Sequence, residues 1–289
     1  MDESRLRHER VAGADGVTLH VVRAGAGPLV VLLHGFPEFW YSWRHQIGPL
    51  VDAGFSVAVP DLRGYDLSDK PSDVGAYHMR CLIEDVAAIV RASGEPRAHV
   101  VGHDWGGLIA WAFAGAHPEL LDKLVIMNAP HMRLYLRTVR RNPRQALRSW
   151  YVLFFRIPGL AERALAAGDY AAIRRMFGRY PARRGAFSRD DVEKYVEAIR
   201  RPGALRAGLN YYRANASGSG IRLATSARTN AETLVIWGEK DPALVPELLD
   251  GLEEVAPHVR VHRLPDVSHW VQSEAPDEVS RALVGFLLV

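Results

Sequence analysis

Val100-Val101-Gly102-His103-Asp104-Trp105-Gly106-Gly107 is the stretch whose reading decides the fold. An apolar strand, Ala98 to Val101, runs into a sharp turn, and an apolar helix (Leu108, Ile109, Ala110, Trp111, Ala112, Phe113) leaves it. Glycines stand two residues before Asp104 and two and three after it. That is the spacing of a nucleophile elbow, G-x-Nu-x-G, which holds one side chain on a strained strand-to-helix turn. Gly102, Gly106 and Gly107 let strand and helix approach without a Cβ between them. Asp also serves well as the N-cap of a helix, but a cap does not need this frame of glycines.

The pattern on either side of the elbow is strand and helix in alternation. Val17 to Arg23 alternates like a strand after an Asp15-Gly16 turn. Leu29 to Leu33 is a continuous apolar run, as in a strand buried on both faces of a parallel sheet, and it ends in His34-Gly35-Phe36-Pro37-Glu38. A helix is expected over Trp43 to Ala53, a strand over Phe55 to Val59 and a helix over Tyr77 to Ala92. Beyond the elbow, Leu124 to Met127 reads as another buried strand. The rhythm breaks after Ala129-Pro130. From about His131 to Arg228 the pattern gives helices and loops and no convincing buried strand, and Ser217-Gly218-Ser219-Gly220 reads as a flexible connection. Strand character returns at Thr233 to Trp237, then come a helix (Pro246 to Val255), a strand (Val259 to Leu264) and a helix (Asp277 to Leu288). The expectation is an α/β fold: a mainly parallel sheet with helices on both faces. Its core is residues 1–130 and 229–289, interrupted by a helical cap, or lid, over residues 131–228.

Composition sets the limits. A chain of 289 residues, 48% hydrophobic and 24% charged, can bury a large core. The net charge of +3 and the lack of a nucleic-acid-binding motif argue against DNA or RNA as a partner. Cys81, the single cysteine, rules out an intrachain disulfide and suits a helix core. The polar, charged stretch Met1 to Gly16 does not read as a signal peptide, and no apolar run is long enough to span a membrane. A cytoplasmic enzyme is expected, monomeric or homodimeric, with no membrane partner. Six arginines (Arg133, Arg137, Arg140, Arg141, Arg144, Arg148) recur at helical spacing and are read as a solvated face, with an anionic partner as the lesser alternative.

The residue at the elbow narrows the chemistry. A carboxylate attacking an ester would give a labile anhydride. Attack on an electrophilic sp3 carbon instead gives an alkyl ester on the enzyme, which water can hydrolyse. Epoxides and alkyl halides are such electrophiles. Ligands of open α/β sheets bind beyond the carboxyl ends of the strands, where Asp104, Asp241 and His269 follow in the order nucleophile, acid, histidine. His269 is expected to activate water, and Asp241 to orient the imidazole and stabilise its charged form. Asp266 is a rival acid but shares a loop with His269 and reads as a surface turn residue; Asn128 cannot serve as an anionic acid. His34 and His103 flank the site as structural hydrogen-bonding groups. Backbone N–H groups of Phe36 and Trp105 are placed to accept charge on the Asp104 carbonyl oxygen. A cis Phe36-Pro37 bond would aim the Phe36 amide. No metal-ligand spacing and no G-x-G-x-x-G after a strand is present, so no cofactor is implied.

Over nearly its whole length the chain resembles the α/β-hydrolase-fold epoxide hydrolases. The matching pieces are His34-Gly35-Phe36-Pro37-Glu38, Asp61-Leu62-Arg63-Gly64-Tyr65, Gly102 to Gly107, Gly238-Glu239-Lys240-Asp241 and Ser268-His269-Trp270. In that family two lid tyrosines hold the epoxide oxygen. The resemblance puts them at Tyr151, in Trp150-Tyr151-Val152-Leu153-Phe154-Phe155, and at Tyr212, with Tyr211 the near-miss beside it. Such donors have a physical reason, because ring opening creates an alkoxide that must be stabilised and protonated. By composition alone, that aromatic stripe reads as lid packing. Phe36, Pro37, Trp105, Tyr151, Tyr212 and Trp270 are the residues expected to bind a small hydrophobic epoxide. Two departures stand out. Asp66-Leu67 follows Arg63-Gly64-Tyr65 where relatives usually have Gly, which puts that turn's geometry in question. Val152 stands where relatives often have Gln, which favours an apolar pocket.

The nearest rival is a haloalkane dehalogenase, with the same Asp nucleophile but often an Asn in place of Phe36 to hold the halide. A fluoroacetate dehalogenase would carry Arg in place of Trp105. A non-catalytic binder of the same fold would have no need of an intact Asp104, Asp241 and His269.

Overall fold

The computed structural model describes residues 3–216 and 218–289. Eight strands form one sheet: β1 (Arg7–Ala12), β2 (Thr18–Gly25), β3 (Leu29–Leu33), β4 (Ser56–Pro60), β5 (Ala98–His103), β6 (Leu121–Met127), β7 (Thr233–Gly238) and β8 (Val259–Leu264). Their order is β1-β2-β4-β3-β5-β6-β7-β8. β1 and β2 pair antiparallel, as do β2 and β4, and every pairing from β4 to β8 is parallel.

Side-chain alternation explains the two layers. In β3, Val30 and Leu32 face one way with Val101, Val125 and Met127, packing on α1 (Ile47–Asp52). Leu29, Val31 and Leu33 face the other way, onto α2 (Met79–Ala92) and α3 (Trp105–Ala116). With apolar residues on both faces, β3 and β5 are fully buried.

Between β6 and β7 the described residues form helices and loops only: α4 (Met132–Arg141), α5 (Pro143–Arg148), α6 (Trp150–Phe155), α7 (Leu160–Arg179), α8 (Arg189–Arg200), α9 (Ala204–Asn215) and α10 (Gly218–Ser226). After β8, α11 (Val271–Glu274) and α12 (Pro276–Leu287) close the chain. The helical insert is tied to the sheet by the Arg148 guanidinium, which donates to the Asp241 carbonyl at 2.9 Å. Glu274 also accepts the amides of Ala182 and Arg183 at 2.7 and 3.0 Å. No described helix is long and apolar enough to cross a membrane.

Four local expectations need correction. β1 is a strand within a stretch read only as polar. Val11 is its one buried side chain, so backbone pairing with β2 and not an apolar pattern holds it. The helix expected over Trp43 to Ala53 divides into a 3-10 turn at Trp40–Trp43 and α1. The helix expected over Pro246 to Val255 is two 3-10 turns, Pro246–Leu249 and Leu252–Glu254, separated where Gly251 takes φ 85°. Ser217 of the expected flexible connection lies outside the described residues, but Gly218, Ser219 and Gly220 begin α10, which packs on α3 and α4. At the Asp66 departure the backbone takes φ 32°, a conformation glycine adopts more readily, and the carboxylate pairs with Arg201 of the insert.

Candidate active site

Asp104 sits at the β5–α3 turn with φ 50° and ψ −119°, outside the ordinary helix and strand regions. The glycines around it are required by contact distances. A Cβ on Gly102 would lie 2.3 Å from the Gly106 carbonyl oxygen, and one on Gly106 would lie 2.2 Å from that of Leu33. The turn therefore packs backbone on backbone and fixes where the carboxylate points.

The carboxyl ends of four more parallel strands supply the rest. After β3, the Phe36 amide donates to Asp104 Oδ1 at 2.8 Å, and the Phe36-Pro37 bond is cis. The Trp105 amide, expected beside it at the charge that develops during hydrolysis, makes no hydrogen bond to the resting carboxylate among the described residues. After β8, His269 turns Nε2 toward Asp104 Oδ2 at 3.6 Å and Nδ1 toward Asp241 Oδ2 at 2.7 Å. After β7, Asp241 is fully engaged. Its Oδ1 accepts the amides of Ala243 and Leu244 at 2.8 and 3.0 Å, and its Oδ2 accepts the Asn128 amide as well as His269.

Asn128 follows β6 and takes φ 39°. Its Nδ2 donates to Asp241 at 2.8 Å, and its Oδ1 accepts the Gly238 amide at 2.8 Å. Dismissed from sequence as an acid, it is the clamp on the acid. Its place at the end of a buried strand was the one available signal. Asp266 pairs with Arg183 at the surface, 3.0 and 3.1 Å away, and takes no part.

Electrostatics couple these groups. Burial alone would lower the His269 pKa, but Asp241 and Asp104 outweigh it and push the imidazole well above its ordinary value. Burial would raise both carboxyls, yet His269 and their hydrogen bonds hold Asp104 and Asp241 below the usual range. Each carboxylate thus favours the charged imidazole, and the imidazole in turn favours both carboxylates ionised.

A second buried layer lies behind it. His103 Nδ1 meets Glu38 Oε2 at 2.9 Å, and Nε2 meets the His269 carbonyl oxygen at 2.9 Å. Glu38 also accepts the Gly35 amide at 2.8 Å, so one carboxylate braces both the Phe36 loop and the His269 loop. Sequence reading noted Glu38 only within its motif and gave it no part in this. His34 accepts the Leu62 amide at 3.0 Å and is structural, as expected.

Asp104 and His269 open into a cavity of about 500 Å³ lined by Phe36, Tyr151, Phe154, Tyr212, Leu244 and Trp270 among others. A second chamber of about 230 Å³ shares Asp104, Tyr151 and Tyr212 with it and is also lined by Trp105 and Val152. Pro37 is buried and is not among the lining residues of either, unlike the other residues expected to bind substrate. Tyr151 and Tyr212 stand nearly perpendicular, ring centroids 6.2 Å apart. Burial, then the Asp104 charge, push the Tyr212 phenol well above its ordinary pKa, against a smaller opposing pull from the Trp105 side chain. Burial, then Tyr135 and Asp104, do the same to Tyr151. The Trp105 ring stands edge-on to Tyr212, centroids 5.0 Å apart. Neither phenol donates to a protein group among the described residues. Tyr211 is different: its hydroxyl donates to the Arg63 carbonyl at 2.7 Å, and its ring packs in the core on Tyr65 and Tyr77.

The sequence profile of the alpha/beta hydrolase fold family matches residues 28–276. The AB hydrolase superfamily protein YfhM of Bacillus subtilis is 40% identical over 278 residues, covering 94% of this chain and 95% of that protein. Mouse epoxide hydrolase 4 is 36% identical over 279 residues, 94% of this chain and 77% of its own length. Among solved structures, the Bacillus megaterium epoxide hydrolase in complex with an inhibitor superposes with a TM-score of 0.88 at 33% identity, covering 98% of this chain and 100% of that one. Epoxide hydrolase A from Mycobacterium thermoresistibile gives 0.85 at 32%, covering 98% of each.

Proposed function

This chain belongs to the α/β-hydrolase family, among its epoxide hydrolases, and on that premise we propose that it converts epoxides to vicinal diols through an alkyl ester on Asp104. The observation that carries the reading is the cavity itself. One wall presents an ionised carboxylate beside an imidazolium, and the facing wall presents two phenols that donate to no protein group. A substrate oxygen held by Tyr151 and Tyr212 would set a ring carbon before Asp104.

An Asp104 oxygen attacks the less hindered carbon, the carbon–oxygen bond breaks, and the alkoxide takes a proton from a tyrosine. Forming the ester removes the Asp104 charge, which had been raising the pKa of Tyr212, Tyr151 and His269. The imidazolium then gives up its proton, which restores the tyrosine. Neutral His269, still oriented by Asp241, takes a proton from water as that water attacks the ester carbonyl. The Phe36 amide holds the developing negative charge until the ester C–O bond breaks; the leaving oxygen takes the water's remaining proton, so the diol departs with Asp104 ionised again and His269 an imidazolium. The charge on one carboxylate thus sets whether the histidine holds its proton or acts as a base.

Residues 131–228 serve as the lid in this reading. Val152 and the aromatic walls suit small hydrophobic epoxides. A single turnover in heavy-oxygen water tests the mechanism: label is expected in Asp104 and not in the first diol. Label in that first diol would mean direct attack by water. Bromoalkanes run alongside should release no halide, since Phe36 stands where a dehalogenase often keeps an Asn.

A further inference from the structure

The first stretch of the insert carries exposed side chains that the proposed reaction leaves unused. Seven of the chain's 36 basic residues and none of its 33 acidic ones fall within His131–Ala161. That segment carries +7, and the rest of the chain carries −4. Of the seven arginines only Arg137 pairs with a carboxylate, Glu254, among the described residues. The same segment holds five of the ten large hydrophobic side chains exposed among the described residues: Leu147, Trp150, Leu153, Ile157 and Leu160. They lie on α5, α6, the turn after α6 and the first residue of α7, and the first three are 76, 62 and 65% exposed. Soluble surfaces rarely gather apolar side chains this way without a partner.

Both chambers reach this face. Exposed Trp150 and half-buried Arg148 line the larger, and exposed Leu153 and Arg156 line the smaller. We infer that this basic, apolar face of the insert docks on an anionic lipid surface, with the cavity mouths turned toward it. A lipid surface supplies phosphates for the arginines and a hydrocarbon layer for the leucines, and tryptophan favours the boundary between them. A second copy of the chain fits less well. A two-fold interface would set the patch against itself, with arginines facing arginines and no acid between them. The net negative charge of the rest of the chain keeps the opposite side away from such a surface. Docking stands on this surface alone. Its consequence, that water-insoluble epoxides enter from the lipid side, rests on the proposed reaction.

The test is co-sedimentation of the full chain with vesicles of phosphatidylcholine, alone or mixed with phosphatidylglycerol. Binding is expected to the mixed vesicles only and should fall as salt rises. Each basic residue near the surface contributes about fivefold, so Arg140→Glu/Arg141→Glu/Arg144→Glu should weaken binding about a hundredfold or more. Leu147→Glu/Ile157→Glu/Leu160→Glu should abolish it. Both variants should keep the parent circular dichroism and its turnover of a water-soluble epoxide. Equal binding to neutral vesicles, or none to either, overturns the inference. So does a dimer in sedimentation equilibrium that Leu147→Glu separates, which would assign the face to a second copy. In the unmutated chain, turnover without docking rejects this inference alone, and docking without turnover rejects the reaction alone.

Discussion

The two walls of the cavity are built on opposite plans. On the sheet wall the hydrogen-bonding groups are committed: Asp241 accepts four donors, His269 is fixed by it, and Glu38 with His103 braces the loops behind. On the insert wall the two phenols line the cavity with their protons uncommitted. One wall is fixed before substrate arrives, so little reorganisation is left for the reaction. In the proposed reaction the other keeps its donors for the substrate oxygen. The largest expected effect is therefore on the sheet wall: Asp104→Ala should lower kcat/KM about 10^4-fold or more, and intact-mass measurement should find no alkylated protein.

The next variants separate the two steps within that wall. His269→Gln should form the ester and fail to hydrolyse it, so mass spectrometry after substrate addition should show the adduct. Unmodified protein alone, in a folded variant, would remove His269 as the base. Asp241→Asn should cost about 10^4-fold, the loss seen when the equivalent acid of a serine triad is changed. Asn128, which holds the same carboxylate, should still fold the loop around it.

The sheet wall was readable from the sequence for a physical reason. Its residues sit at the ends of short, wholly apolar strands, so topology alone brings residues 104, 241 and 269 together. The elbow glycines betray themselves because nothing larger fits. Asn128 and Glu38 were seen and under-read, since a supporting hydrogen bond leaves no periodic trace. The insert wall is another matter. Tyr151 and Tyr212 belong to helices whose aromatic content reads as packing, and only resemblance separated Tyr212 from Tyr211. β1 was missed because backbone pairing, not burial, makes it a strand.

A pH series sharpens the contrast between the steps. Alkylation needs Asp104 ionised, and its depressed pKa keeps it so well into acid. Ester hydrolysis needs neutral His269. Alkylation removes the Asp104 charge, but Asp241 still raises the imidazole's pKa. As pH falls, the second step should slow about tenfold per unit below the imidazole pKa of the ester form, while the first continues. Ester should accumulate in acid. A rapid-quench measurement in which both steps decline together would break the separation.

On the insert wall the effects should be smaller, since two donors share one oxygen. Tyr151→Phe and Tyr212→Phe should each lower the alkylation rate about a hundredfold, the scale of one lost oxyanion donor. Ester hydrolysis should change much less. A variant that slowed only hydrolysis would place its hydroxyl on the water and not on the epoxide.

Tyr211 and Tyr212 bring the comparison down to adjacent residues. Successive helix positions lie about 100° apart, so two neighbours on α9 face different surroundings. Tyr212 turns to the cavity, against Trp105 and Phe36. Tyr211 turns to the core and ties α9 to the Arg63 carbonyl. Tyr211→Phe should therefore leave the alkylation rate unchanged and cost about 1–3 kcal/mol of stability, from the buried carbonyl left without its donor. Tyr212→Phe should slow alkylation and cost the fold less, because its hydroxyl donates to no protein group and it lines both chambers. Alkylation rates and denaturant midpoints for the pair form a crossed test. If Tyr211→Phe slowed alkylation while Tyr212→Phe only softened the fold, the insert wall would have to be rebuilt around the other tyrosine.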